Sequence, residues 1–183
     1  MRIRKKFGVV ELLGVASILV ASLAMVRPAA AQTPAATAAC GDWNIKFSVK
    51  EDPTHPAMPQ TPAGKAMVVV AVDGNEATLA TFTARIGVDG KWVAATRARQ
   101  YISFTVDPGA HHLCASLQGA ALMNTENPDT LHSLKAEPGK TYYFRLRVYR
   151  SGDHTVNTSL DAIDEDEGQL IVESTFRSSF KIK

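Results

Sequence analysis

Glu137-Pro138-Gly139-Lys140-Thr141-Tyr142-Tyr143-Phe144-Arg145-Leu146-Arg147-Val148-Tyr149 is a tight turn feeding a long strand, and its reading decides the fold class. Proline fixes one central turn residue and glycine supplies the next. The residues that follow alternate. Tyr142, Phe144, Leu146 and Val148 face one way, while Tyr143, Arg145, Arg147 and Tyr149 face the other. The same device recurs at Asp107-Pro108-Gly109-Ala110, between an alternating run at Arg99 to Val106 and a return run at His111 to Leu117. A short strand at His132 to Ala136 precedes the quoted turn.

Working outward, Thr81 to Val88 and Lys91 to Ala95 flank Asp89-Gly90, a pair suited to the positive φ angles of a two-residue hairpin turn. Ala66 to Val72 is continuously apolar, which predicts a strand covered on both faces, and Asp73-Gly74-Asn75 ends it. Asn44 to Lys50 puts Ile45, Phe47 and Val49 on one face of a strand. The stretch from Glu51 to Gly64 holds Pro53, Pro56, Pro59 and Pro62, so it reads as an extended connection. Near the end, Asp164 is placed to cap one short C-terminal helix with Glu165, Asp166 and Glu167 in its first turn, although Gly168 weakens that helix. Many short strands with regular turns predict an all-β, antiparallel β-sandwich.

The N-terminal end predicts export. Arg2, Arg4, Lys5 and Lys6 precede an apolar run from about Phe7 to Val26, and Ala29-Ala30-Ala31 forms a small-residue cleavage site. Residues 1–31 are therefore read as a signal peptide, 32–43 as a flexible mature N-terminus, and 44–183 as one sandwich domain. The signal holds five of the 20 Lys and Arg residues and one of the 18 Asp and Glu residues. That leaves 15 cations against 17 anions, so the mature chain is slightly acidic and carries no footprint for nucleic acid. No second apolar run is long enough to span a bilayer. The expected location is periplasmic or secreted.

Cys40 and Cys114 are the only cysteines. In an oxidising compartment such a pair is read as a disulfide. The competing reading makes Cys40 a lipid-bearing N-terminus, since Thr37-Ala38-Ala39-Cys40 loosely matches a lipobox. The two exclude each other, because an acylated sulfur cannot bridge.

Three blocks then resemble a known family: Arg85-Ile86-Gly87-Val88-Asp89-Gly90-Lys91-Trp92-Val93, Val106-Asp107-Pro108-Gly109 leading into His111-His112-Leu113-Cys114, and Pro138-Gly139-Lys140-Thr141-Tyr142-Tyr143-Phe144-Arg145. Together with Asp161-Ala162-Ile163-Asp164 leading to Gly168-Gln169-Leu170, they resemble the domain-of-unknown-function family numbered 2846, over about residues 65–175. The resemblance implies an exported bacterial β-sandwich, often a lipoprotein, with no established activity. Members often begin with an aromatic residue and an arginine on the first strand. Here Met67 to Val72 is aliphatic.

Chemistry-bearing residues are few. His111, His112 and His132, with Cys114, are the only cluster of metal-ligand types, and they would serve a hydrolase or a metal site. No catalytic residue, metal or cofactor is assigned. The acids Asp161 and Asp164 to Glu167 fail the calcium-loop pattern, because Gly168 at loop position 6 would place Ile163 at position 1. They read as a solvated helix start. Ser178-Ser179-Phe180-Lys181 matches S-x-x-K without its companion motifs. The candidate binding surface is a pair of outward stripes: Arg97, Arg99 and Tyr101, and Tyr143, Arg145, Arg147 and Tyr149. Arginine forks and aromatic faces suit acidic ligands or a protein partner. The expected function is a non-enzymatic envelope binding or accessory module, with the hydrolase and the Cys40-tethered lipoprotein as alternatives.

Overall fold

The computed structural model describes residues 40–54, 56–72, 82–118, 129–151 and 155–183. The expected signal peptide, the first part of the flexible N-terminus, the Asp73-Gly74-Asn75 turn and Thr81 lie outside the described residues. The strands are β1 (Phe47–Asp52), β2 (Ala66–Val72), β3 (Thr83–Val88), β4 (Lys91–Arg97), β5 (Gln100–Val106), β6 (Gly109–Gln118), β7 (Asp129–Ala136), β8 (Thr141–Ser151), β9 (Thr155–Ile163) and β10 (Phe176–Ile182). One helix, α1 (Glu165–Glu173), lies between β9 and β10.

The strands form a six-stranded sheet, β1-β10-β5-β2-β8-β9, and a four-stranded sheet, β4-β3-β6-β7. Most pairs are antiparallel; β2 with β8 and β10 with β5 are parallel. The Asp89-Gly90 turn has φ angles of 48° and 83°, the positive pair its composition requires. Inner faces of both sheets make one core, with Val68, Val70, Phe144, Leu146 and Leu160 from the larger sheet and Ile86, Leu113, Ala115 and Leu134 from the smaller. Each aliphatic side chain buried here contributes about 1.5–3 kcal/mol.

The continuous apolar run of β2 has the two-sided burial its composition predicts. Ala66, Val68, Val70 and Val72 enter the sandwich core. Met67, Val69 and Ala71 enter a second cluster with Tyr101, Tyr143 and Ile171, roofed by α1 and Met58.

Asp164 caps α1 through a 2.8 Å hydrogen bond from the Glu167 amide to its side-chain Oδ1. Gly168, which weakens the helix by propensity, is buried where the helix crosses the sheet. A Cβ added there would collide with the Tyr143 ring. The glycine is a packing requirement. Gly168→Ala is therefore expected to cost about 1–3 kcal/mol through overpacking, overriding the roughly 1 kcal/mol that alanine gains in a helix. Urea denaturation of the variant checks this, and a more stable Gly168→Ala protein would show that α1 is not seated on Tyr143.

Candidate functional site

The two Arg/Tyr stripes are corrected by α1. β5 and β8 do lie in one sheet with β2 between them, Ala71 pairing Tyr101 on one side and Arg145 on the other. Their shared face is not open. Tyr101 and Tyr143 are 3% and 5% exposed beneath the helix. Burial pushes both phenols upward; for Tyr101 the nearby Arg177 charge partly opposes this, and for Tyr143 the Glu165 charge adds to it.

Arg97 and Arg99 do not continue that stripe. Arg97 ends β4 in the smaller sheet, and Arg99 sits in the connection with φ of 60°, so the chain changes sheet between them and Tyr101. Arg145 pairs with Glu167 of α1 at 2.6 Å, and Arg147 lies 3.7 Å from Asp161 of β9. The acidic run thus caps the helix and partners the arginines. Arg99, Arg147 and Tyr149 remain exposed.

The histidines are distributed over both faces of the smaller sheet. His132 sits opposite the core residue Leu113 and packs edge-to-face on Phe144, with ring centroids 5.0 Å apart. His112 follows the other parity, on the face of Cys114, whose sulfur is bonded to Cys40. The expected cluster is not assembled. Among the described residues, no group of three or more His, Cys, Asp or Glu side chains is arranged to hold a metal ion.

His111 is engaged at both ring nitrogens. Nδ1 lies 2.7 Å from Asp89 Oδ2, and Nε2 lies 2.7 Å from the Asp107 carbonyl. Burial works against its positive charge, but the hydrogen bonds to Asp89 and Asp107 and their charges outweigh it, so its pKa is raised. Desolvation likewise works against the Asp89 carboxylate. The His112 amide and the His111 ring outweigh that, and its pKa is lowered.

Ser178, the S-x-x-K serine, is buried, accepting from the Thr96 hydroxyl at 2.7 Å and donating to Gln100 Oε1 at 2.7 Å. It joins three strands where the sheets meet.

The disulfide is present between Cys40 and Cys114. The lipid-tether reading of Cys40 is corrected by it, since that sulfur is already bonded. Residues 40–43, expected to be flexible, are instead strapped across the outer face of the smaller sheet. Trp43 meets Trp92 edge-to-face at 5.9 Å, and Trp92 Nε1 donates to the Asp42 carbonyl at 2.7 Å. Against both indoles lies Arg85, 3% exposed, its guanidinium carbon 4.9 Å and 4.5 Å from the ring centroids. It donates to the carbonyls of Trp43 and Ile45 and to Ser116 Oγ. Nothing in the spacing of Arg85 marks it. An alternating strand position predicts an outward side chain, and the nearest residue of the strap that covers it, Trp43, is 42 residues away.

Two clefts border α1. One, of about 290 Å³, opens where β7 faces β8 and β9. Leu134, Tyr142 and Phe144 form its floor, with His132, Lys135 and Glu165 around it. Ala162 is exposed there, although it is in line with the buried Val156, Thr158 and Leu160. The other, of about 220 Å³, lies at the far end of the helix between Met58, Tyr101, Val172 and Arg177. Both are near or below the lower size limit of small-ligand sites.

Comparison of the chain with protein-family models, with curated proteins and with solved structures finds no match.

Proposed function

We propose that this chain is an exported β-sandwich of a bacterial cell envelope, periplasmic or secreted, acting as a binding or accessory module. The observation that carries the reading is the Cys40–Cys114 bond drawing the strap over Arg85. A fold closed by a disulfide belongs to an oxidising compartment. The basic and apolar start of the chain points the same way, as does the resemblance to the exported family of unknown function numbered 2846. Binding is favoured over hydrolysis by what the histidines and Ser178 do. His132 is occupied in packing, and His111 and Ser178 in hydrogen bonds that hold strands and turns together.

The cleft beside Ala162 is the proposed binding place, with an apolar floor for a small ligand and polar groups to orient it. The unreduced protein from envelope fractions of its host is expected to have a mass that starts at Gln32 and lacks two hydrogens. Recovery as a full-length cytosolic chain with free thiols overturns the export reading. For the cleft, ligand-observed NMR with a library of small aromatic and short acyl fragments is expected to find binders that Ala162→Trp abolishes. Binding indifferent to that substitution, or none at all, overturns the assignment of the cleft.

A further inference from the structure

We propose that His111 is a protonation-dependent latch joining the β3–β4 turn to the β5–β6 turn. The inference rests on hydrogen-bond geometry and does not depend on the function proposed above. Both partners of the ring accept: a carboxylate oxygen of Asp89 and the main-chain carbonyl of Asp107, each at 2.7 Å. A neutral imidazole has a single N–H. Only the imidazolium satisfies both contacts.

The two contacts differ in what holds them. Asp89 is anchored by further bonds, its Oδ1 accepting from the His112 amide at 2.8 Å and its own amide donating to the His112 carbonyl at 3.0 Å. A charge-assisted bond to the carboxylate is the stronger one to keep. On deprotonation the ring therefore retains Nδ1–H toward Asp89, and the Nε2 lone pair is left facing the Asp107 carbonyl. The latch opens on the Asp107 side.

That side ties other segments together. The Asp107 carboxylate pairs with Lys65 Nζ at 2.7 Å, and the Lys65 carbonyl accepts from the Gly139 amide at 2.7 Å. The His111 ring thus links the turns before β4, β6 and β8 and the start of β2. Asp89 and Asp107 are the acidic groups facing it. His112 on its own strand has Nδ1 3.9 Å from Asp89, Lys65 reaches it through Asp107, and Lys135 on β7 follows Leu134, the register partner of His111.

The folded pKa is raised above the ordinary 6.5. The latch contribution is fully present below 6.5 and is lost as pH rises through the folded value. Long-range ¹H–¹⁵N NMR of the disulfide-bonded protein tests this. Both ring nitrogens are expected to carry protons at pH 6, with a midpoint above 6.5. Exchange at the Asp107 and Gly109 amides, corrected for intrinsic base catalysis, is expected to rise up to about tenfold per pH unit beyond that midpoint. Asp89→Asn should lower the His111 midpoint, His111→Gln should leave exchange fast at every pH, and His112→Gln should change neither. A single protonated nitrogen at pH 6, a midpoint at or below 6.5, or exchange that ignores the titration overturns the latch.

Discussion

Replacing both cysteines, Cys40→Ala with Cys114→Ala, is expected to lower the unfolding free energy by about 4 kcal/mol. The bond joins residues 74 apart, so the oxidised unfolded chain loses much of its loop entropy, and the reduced chain regains it. A native-state cost adds to this. Without the bond the strap keeps only the hydrogen bonds and ring contacts of Asp42, Trp43 and Arg85. For a domain of this size the melting temperature should fall by roughly 8–16 °C. Guanidinium denaturation of the oxidised protein and of the double variant measures the difference. A loss below about 1 kcal/mol would mean that ring and arginine contacts alone seat the strap, and that the bond constrains little.

Arg85→Met, made with the disulfide intact, is expected to lose about 3–5 kcal/mol, the range for removing one partner of a buried charged arrangement. Three acceptors lose their donor: the carbonyls of Trp43 and Ile45 and Ser116 Oγ. Both indoles lose the cation packed against them. Asp129 loses the opposite charge of Arg85. Burial already raises the pKa of that carboxyl, with the Ser116 hydrogen bond and the Arg85 charge working against the rise. Removing Arg85 therefore raises it further. An aspartate whose folded pKa lies above its unfolded value costs stability once pH exceeds the unfolded value, and is relieved as pH falls through the folded one. The deficit of Arg85→Met should accordingly narrow in acid. Arg85→Lys keeps the charge but loses the fork that spans two carbonyls, and should recover less than half of the loss. If Arg85→Met is as stable as the parent, the arginine is a bystander to the strap.

Local chemistry was enough to read β1 to β8, several turns and the helix cap, but not β9 or β10. Alternation at Tyr142 to Val148 and the apolar run of β2 record how many faces of a strand meet protein, because side chains alternate whatever lies above them. Asp89-Gly90 and the Asp164 cap depend on backbone angles and short-range hydrogen bonds, which neighbouring residues settle. β9 went unread although Val156, Thr158 and Leu160 share its buried face, because polar residues alternate with them and disguise the strand. β10 has Ser178 where a core residue is expected, because Thr96 and Gln100 satisfy that hydroxyl from other strands.

By itself, then, the sequence determined the all-β class and, for the strands it marks, the side on which each residue lies; between a disulfide and a lipid-bearing Cys40 the fold decided. Tertiary structure alone decided what covers each side. Tyr101 and Tyr143 are outward by parity and buried in fact, because α1, which follows β8 and β9 in the chain, returns across β2. Arg85 is outward by parity and buried against two tryptophans, because a disulfide brings in a strap from the N-terminal side. His111 gains its two acceptors from separate turns of the folded sandwich. Periodicity is a property of one strand, whereas burial, charge pairing and pKa arise from segments that meet only after the chain has folded.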